Sequence, residues 1–144
     1  MTTILDTNVT SELVRERIHP PVLAWWRRQV IQEMFTTAVT EAEMRRGLAI
    51  MPAGHRRNGL SLRTDYLLRV YFEDRILPFD SAAAQIYAEI YASRRAMGRR
   101  IEQGDCQIAA IARSQNMAVA TRNTSDFTDC GVELINPWST EGTA

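Results

Sequence analysis

The sequence predicts an α/β fold, an α/β/α sandwich around a small, mostly parallel central sheet. Three observations carry that prediction. Short apolar stretches of β-forming residues alternate with longer amphipathic ones along the chain. The alternation runs through all 144 residues with no linker, repeat or low-complexity segment, as one domain of ordinary size does. The first apolar stretch breaks off into Asp6, Thr7 and Asn8, a polar tip at the strand end, where open parallel sheets bind ligands.

Taken in order, "TTILD" (2–6) is strand-like and "VTSELVRE" (9–16) suits a short helix. "PPVLAWWRRQVI" (20–31) predicts a better helix, with proline tolerated in its first turn. "MFTT" (34–37) is a second strand, and "TEAEMRRGLAIM" (40–51) is an amphipathic helix. Apolar residues at Leu60, Leu67, Leu68, Val70, Tyr71 and Phe72 predict one long helix from His55 to Arg75. "RILPFD" (75–80) is a third strand. The next helix, 81–98, opens on a Ser cap and closes on Gly98. "GDCQIAAIARSQN" (104–116) is another helix, "MAVATR" (117–122) an apolar strand, and "VELIN" (132–136) a last, edge strand. The domain is expected over residues 1–138, with "STEGTA" (139–144) a flexible tail.

Composition narrows the function. Hydrophobic content of 45% and charged content of 24% are those of a globular domain. No apolar run is longer than Ile108 to Ala112, which is far too short to span a bilayer. The opening residues carry no secretory signal, so a cytoplasmic, bacterial protein is expected. Cys106 and Cys130 offer neither a disulfide framework nor zinc-ligand spacing. Formal net charge is zero, which argues against coating nucleic acid by bulk charge. Every basic residue is arginine. A GC-rich genome accounts for that, although guanidinium forks also grip phosphate.

The carboxylates are placed more tellingly. Asp6 lies at the carboxyl end of the first strand. Thr121, Asn123 and Asp126 follow "MAVA", and share a crevice with Asp6 if those strands are neighbours. In 104–116, Asp105 shares the inward face of Ile108 and Ala112, and the helix N-terminus favours its charged form. In 40–51, Glu43 falls in line with Val39, Gly47 and Ile50, the face expected to point inward, whereas Glu41 pairs with Arg45 at i+4. Singly, Asp6 and Asp105 read as helix caps and Asp126 as a turn residue. A glutamate on an apolar face is costlier without a partner. Together the acids require neutralising, and oxygen donors select a hard ion, Mg²⁺ or Mn²⁺.

"ILDTNVTSE", "TEAEMRRG", "GDCQIAAIA" and "VATRNTSDF" resemble, in order and spacing, the four acidic motifs of PIN-domain ribonucleases. The match is closest to the toxin subunits of the bacterial VapC group and its FitB-like branch, which "RILPFD" and "NPW" also resemble. The likeness spans residues 3 to 138. It implies metal-binding, catalytic roles for Asp6, Glu43, Asp105 and Asp126, supported by Thr7, Asn8, Thr121 and Asn123. Some relatives place the fourth acid at the position of Asn123; Asp126 is preferred because a neutral amide cannot replace a carboxylate charge. The further acid that many relatives carry two residues before the third aspartate is here Gln103, with Glu102 beside it.

The resemblance also implies Mg²⁺- or Mn²⁺-dependent hydrolysis of RNA, a homodimer, and a small DNA-binding antitoxin that ties the toxin to operator DNA. Arg45, Arg46, Arg99 and Arg122, with Arg94 and Arg95, are candidates to hold RNA phosphates, or are solvated helix faces. Trp25, Trp26, Tyr66, Tyr71, Tyr87 and Tyr91 read as core or dimer surface ahead of base-stacking platforms. His19 and His55, in expected loops, need no catalytic role. The competing reading is a catalytically idle subunit that represses its operon with the antitoxin. An aspartyl-phosphate phosphatase fits poorly, since Asn8 stands where a second aspartate is needed.

Overall fold

The computed structural model describes residues 1–139; residues 140–144 of the expected tail lie outside the described residues. Strands β1 (Thr3–Leu5), β2 (Met34–Thr37), β3 (Ile76–Leu77), β4 (Ala118–Ala120) and β5 (Leu134–Ile135) form one sheet in the order β3-β2-β1-β4-β5. Every pair is parallel, so the expected mostly parallel sheet is parallel throughout. Ile4 is in register with Phe35 on one side and Val119 on the other. The chain builds outward from β1 through β2 to β3, then returns to place β4 on the other side of β1. That reversal opens a crevice at the carboxyl ends of β1 and β4.

Helices α1 (Thr7–Leu13), α2 (Pro20–Arg27), α3 (Ala38–Ile50), α4 (His55–Tyr66), α5 (Ser81–Ala96) and α6 (Gln103–Ser114) cover the sheet. Successive strand side chains point to opposite faces, so two cores form. Ile4 and Val119 pack with Ile90 of α5 and Ile108 and Ile111 of α6. Leu5, Met34 and Ala120 pack on the other face with Val9 of α1, Trp25 of α2 and Leu67, Leu68 and Phe72. Helix α6 is buried on nearly every side, from Ile108 to Ala112, and its alanines let sheet and α5 both approach closely.

Several expected boundaries move. Helix α1 starts two residues early, at Thr7, because Asp6 caps it. Helix α2 stops at Arg27, and a single 3₁₀ turn (Ile31–Glu33) leads into β2. The expected long helix over 55–75 is not uniform. After Tyr66 it widens into a π turn (Leu67–Tyr71), in which Phe72 N–H donates to Leu67 O at 3.0 Å. The wider turn brings Leu67, Leu68 and Phe72 into the core together and leaves Val70 and Tyr71 exposed. Asp80, not Ser81, caps α5, its Oδ1 accepting from Ala83 N–H at 2.9 Å. Gly98 ends that segment at φ +70°, as its sequence position implied. His19 lies in the loop just before α2, as expected, whereas His55 is the first residue of α4. No helix among the described residues is long and apolar enough to cross a membrane.

Candidate active site

The chain turns from β1 straight into α1, which leaves Asp6 at the junction, 5% exposed. Its Oδ1 accepts from Thr7 N–H at 2.8 Å, the capping role expected of an isolated aspartate. Its Oδ2 has different partners. The Thr121 hydroxyl donates to it at 2.8 Å and the Asn8 amide at 3.2 Å. Thr121 follows β4, so the pairing of β1 with β4 brings the two polar tips together across the crevice. Asn8 continues the net, donating to Thr121 Oγ1 at 3.2 Å and accepting from Arg122 N–H at 3.1 Å. Asn123 donates its backbone N–H to Thr121 Oγ1 at 3.1 Å.

Glu43 reaches the same crevice from α3. The Thr7 hydroxyl donates to its Oε1 at 2.6 Å and lies 3.0 Å from the Thr40 hydroxyl. Its helix face requires correction. Gly47 is exposed and Ile50 is 79% exposed, so the line through Val39, Glu43, Gly47 and Ile50 is not the inward one. Thr40 and Met44 are the buried residues of α3. Glu43 sits beside that stripe, at the edge of the crevice, where a half-buried carboxylate is accessible. Glu41 pairs outward with Arg45 at 2.9 Å, as expected.

Asp105 lies in the first turn of α6, and the N-cap is Glu102, whose side chain makes no capping bond; the capping alternative for Asp105 fails. Ile108 and Ala112 on its face are fully buried. Glu43 comes near the start of α6: a Cβ at Gly104 would meet its Oε2 in ordinary contact, at 3.5 Å. Asp126 is exposed on a 3₁₀ turn (Thr124–Phe127) anchored from below by buried Phe127.

Electrostatics tie the four acids together. Burial first, then the charges of Asp6, Asp126 and Glu43, push the Asp105 carboxyl up to about 7. The helix N-terminus was expected to favour the charged form; burial and like charges outweigh it. Asp6 is also raised, chiefly by burial, with Glu43 and Asp126 adding and the bonds from Thr121 and Thr7 pulling back. None of the ion pairs among the described residues involves Asp6, Glu43, Asp105 or Asp126. Nor do three His, Cys, Asp or Glu side chains among those residues converge to ligating distance. The carboxylates feel one another's charge yet stand apart, as mutually repelling groups do.

The crevice has two lobes that share Asp105, Glu102 and Gln103. One, about 580 Å³, also meets Asp126, Tyr87, Tyr91 and Arg100. The other, about 790 Å³, also meets Glu43, Val39 and Arg46. Of the arginines singled out in the sequence, Arg46 lines the second lobe. Arg45 is held by Glu41 and Asp65, and Arg99 by Asp129 at 2.5 Å. The Arg122 guanidinium sits over the Trp138 ring at 5.2 Å.

Arg94 is not the outer-face residue expected; it is 3% exposed. Its guanidinium donates to the carbonyls of Asp126 (3.1 Å) and Thr128 (2.7 Å) and to those of Arg99 and Arg100 (both 3.0 Å). It thereby braces the Asp126 turn against the segment leading into α6. Nothing in the sequence separates this arginine from its neighbours. Arg94→Met leaves these carbonyls without their donor and is expected to cost roughly 3 kcal/mol in urea denaturation. Faster hydrogen exchange over 124–128 should accompany it, and Arg94→Lys should not restore stability, since an ammonium lacks the planar fork.

A strand-end crevice of four acids in a five-stranded parallel sheet defines a class. Residues 3–131 match the PIN domain, and the chain belongs to that family. It is 42% identical over 135 residues to VapC ribonuclease Y4jK of Sinorhizobium fredii, covering 94% of this chain and 96% of the relative. It is 38% identical over 135 residues to Toxin FitB of Neisseria gonorrhoeae, covering 94% and 97%. Among solved structures, a chain of FitAB bound to an IR36 DNA fragment superposes with a TM-score of 0.89 at 38% identity, covering 96% of each.

Proposed function

We propose that the chain is the toxin of a toxin–antitoxin pair, an endoribonuclease that hydrolyses RNA phosphodiester bonds with Mg²⁺ or Mn²⁺. The observation that carries this reading is that Asp6, Asp126 and Glu43 all act by charge on half-buried Asp105 at the strand-end crevice, while none of the four joins an ion pair among the described residues. The names of the relatives, VapC ribonuclease and Toxin FitB, support it.

The residues fit a hard divalent ion. Both lobes offer carboxylate oxygens and no thiol or imidazole among their described lining residues. Asp6, Glu43, Asp105 and Asp126 are the residues that would hold it. Bound there, such an ion would supply positive charge that offsets the phosphate's own and would make water a better nucleophile. Thr121 and Thr7 orient Asp6 and Glu43 through neutral hydroxyls, which fix the oxygens without cancelling their charge. Asn8 ties Asp6 to Thr121, and Asn123 steadies the Thr121 oxygen through its backbone. Asp126, rather than Asn123, takes the fourth place, because its charge acts on both Asp6 and Asp105. No side chain need attack phosphorus itself. The Cys106 and Cys130 thiols are buried, and burial first pushes Cys106 up to about 11. Arg46, at the rim beside Glu43, is placed to meet RNA phosphate.

The FitAB complex bound to an IR36 DNA fragment supports an antitoxin and DNA as this chain's partners, and the family resemblance adds a homodimer. A protein acting on RNA beside such an antitoxin works in the cytoplasm. A catalytically idle repressor subunit is favoured by one observation, that neutral Gln103 lines both lobes. Incubating the antitoxin-free protein with RNA and Mn²⁺ separates the two. The nuclease gives fragments that EDTA abolishes; intact RNA in both lanes leaves the idle subunit.

A further inference from the structure

We infer that the lobe between α5 and the segment leading into α6 is a nucleobase subsite: Tyr91 stacks an unpaired base next to the scissile phosphate, and Arg100 holds the flanking phosphate. The ligand's identity as RNA rests on the endoribonuclease reading; the subsite itself rests on the geometry of this lobe.

Tyr91 is 44% exposed and is the outer member of a fixed aromatic stack. Its ring lies over Tyr87 at 6.2 Å and 15°, and Tyr87 is held edge-on by Phe79 at 5.8 Å and 76°. The inner ring is pinned and the outer one open, so a base laid on Tyr91 extends the stack at small cost in side-chain freedom. The two arginine doublets that follow Tyr91 divide alike. Arg94 and Arg99, the first of each, are spent on carbonyls and on Asp129. Arg95 and Arg100, the second of each, are exposed, join none of the ion pairs among the described residues, and line the space around Tyr91. Arg100 and both tyrosines share the acidic lobe with Asp105 and Asp126. The opposite lobe has Arg46 but no aromatic ring.

Aromatic rings and unpaired guanidinium groups leading out from a phosphodiester-cleaving centre are the elements of single-strand recognition. Every base has a π-face, so this subsite selects unpaired over paired RNA and not one base over another. Sequence preference must come from elsewhere.

The test uses the full chain and a single-stranded oligoribonucleotide carrying 2-aminopurine, whose fluorescence falls on stacking. Binding is read in Ca²⁺, which neutralises the acids while activating water poorly. Wild type and Tyr91→Phe should both quench the probe. Tyr91→Leu should lose the quench and bind about tenfold more weakly. Arg100→Gln should bind more weakly with a shallower salt dependence. In Mn²⁺, Tyr91→Leu should raise KM about tenfold, with kcat within about twofold and Mn²⁺ affinity unchanged. Wild-type quenching and KM in Tyr91→Leu overturn the subsite. So does a change in oligomer size in that variant, since Tyr91 would then be a subunit contact. If wild type cleaves nothing in Mn²⁺, the nuclease reading fails, while the fluorescence arm still decides the subsite.

Discussion

Asp105→Asn is expected to abolish Mn²⁺-dependent RNA cleavage and growth arrest while making the metal-free protein more stable. The two effects have one cause. At pH 8 the Asp105 carboxylate is ionised against its burial first and then against the charges of Asp6, Asp126 and Glu43. A neutral amide of the same shape removes both the cost of burying the charge and the repulsion. The gain is on the order of 1 kcal/mol, because solvent around a half-buried carboxylate screens the full linkage value. Cleavage should fall by at least about 10³-fold, since several kcal/mol of transition-state stabilisation depend on the ion that the acids hold. Thermal unfolding without metal and cleavage of a defined RNA measure the two sides. Wild-type toxicity in Asp105→Asn removes the metal-centre reading, and a loss of metal-free stability removes the account of mutual repulsion.

Metal binding is expected to release protons, and to weaken as pH falls below about 7. Asp105 has a folded pKa of about 7 against an ordinary value of 3.8. Between those values the native state holds a proton that the unfolded state has lost. The metal-free protein is therefore stabilised at low pH, and that stability drains away as pH rises toward 7. A bound divalent ion reverses the trend, because it requires the charged form. Mg²⁺ should raise Tm strongly at pH 8 and little at pH 5. Calorimetry at pH 6.5 in buffers of different ionisation enthalpy should report proton release on Mn²⁺ binding. Asp105→Asn should lack the Asp105 share of it. A Tm response to Mg²⁺ that is as large at pH 5 as at pH 8 contradicts the shared charge on which the site depends.

Much of this was legible in the chain because periodicity and strand ends are local signals. Alternation of apolar stretches points to the sheet, and the position of Asp6 behind Leu5 points to the strand-end crevice where it meets Thr121. Local reasoning failed where tertiary packing decided. On α3 the apolar Ile50 suggests an inward face that it does not have, since it is exposed, while Thr40 and Met44 are the buried residues. The π turn after Tyr66 answers the need to bury Leu67, Leu68 and Phe72 at once, which a regular helix reading does not reveal. Arg94 looked like Arg95. Only the loop carbonyls gathered around it, some more than thirty residues ahead, distinguish a brace from a surface cation. Likewise nothing local says that Tyr87 and Tyr91 border the acids, since that depends on how α5 lies against α6.

The bond from Thr121 to Asp6 spans 115 positions in the chain. Strand β4 is the fourth of five to leave the ribosome, yet it must dock beside the first. Loop closure over such a distance comes late in folding. A nascent chain that has reached Ser114 has every helix but only three strands, and its Asp6 still lacks the hydroxyl that orients it. The acidic crevice is thus completed only after Thr121 has been made, and products truncated before it carry no assembled centre.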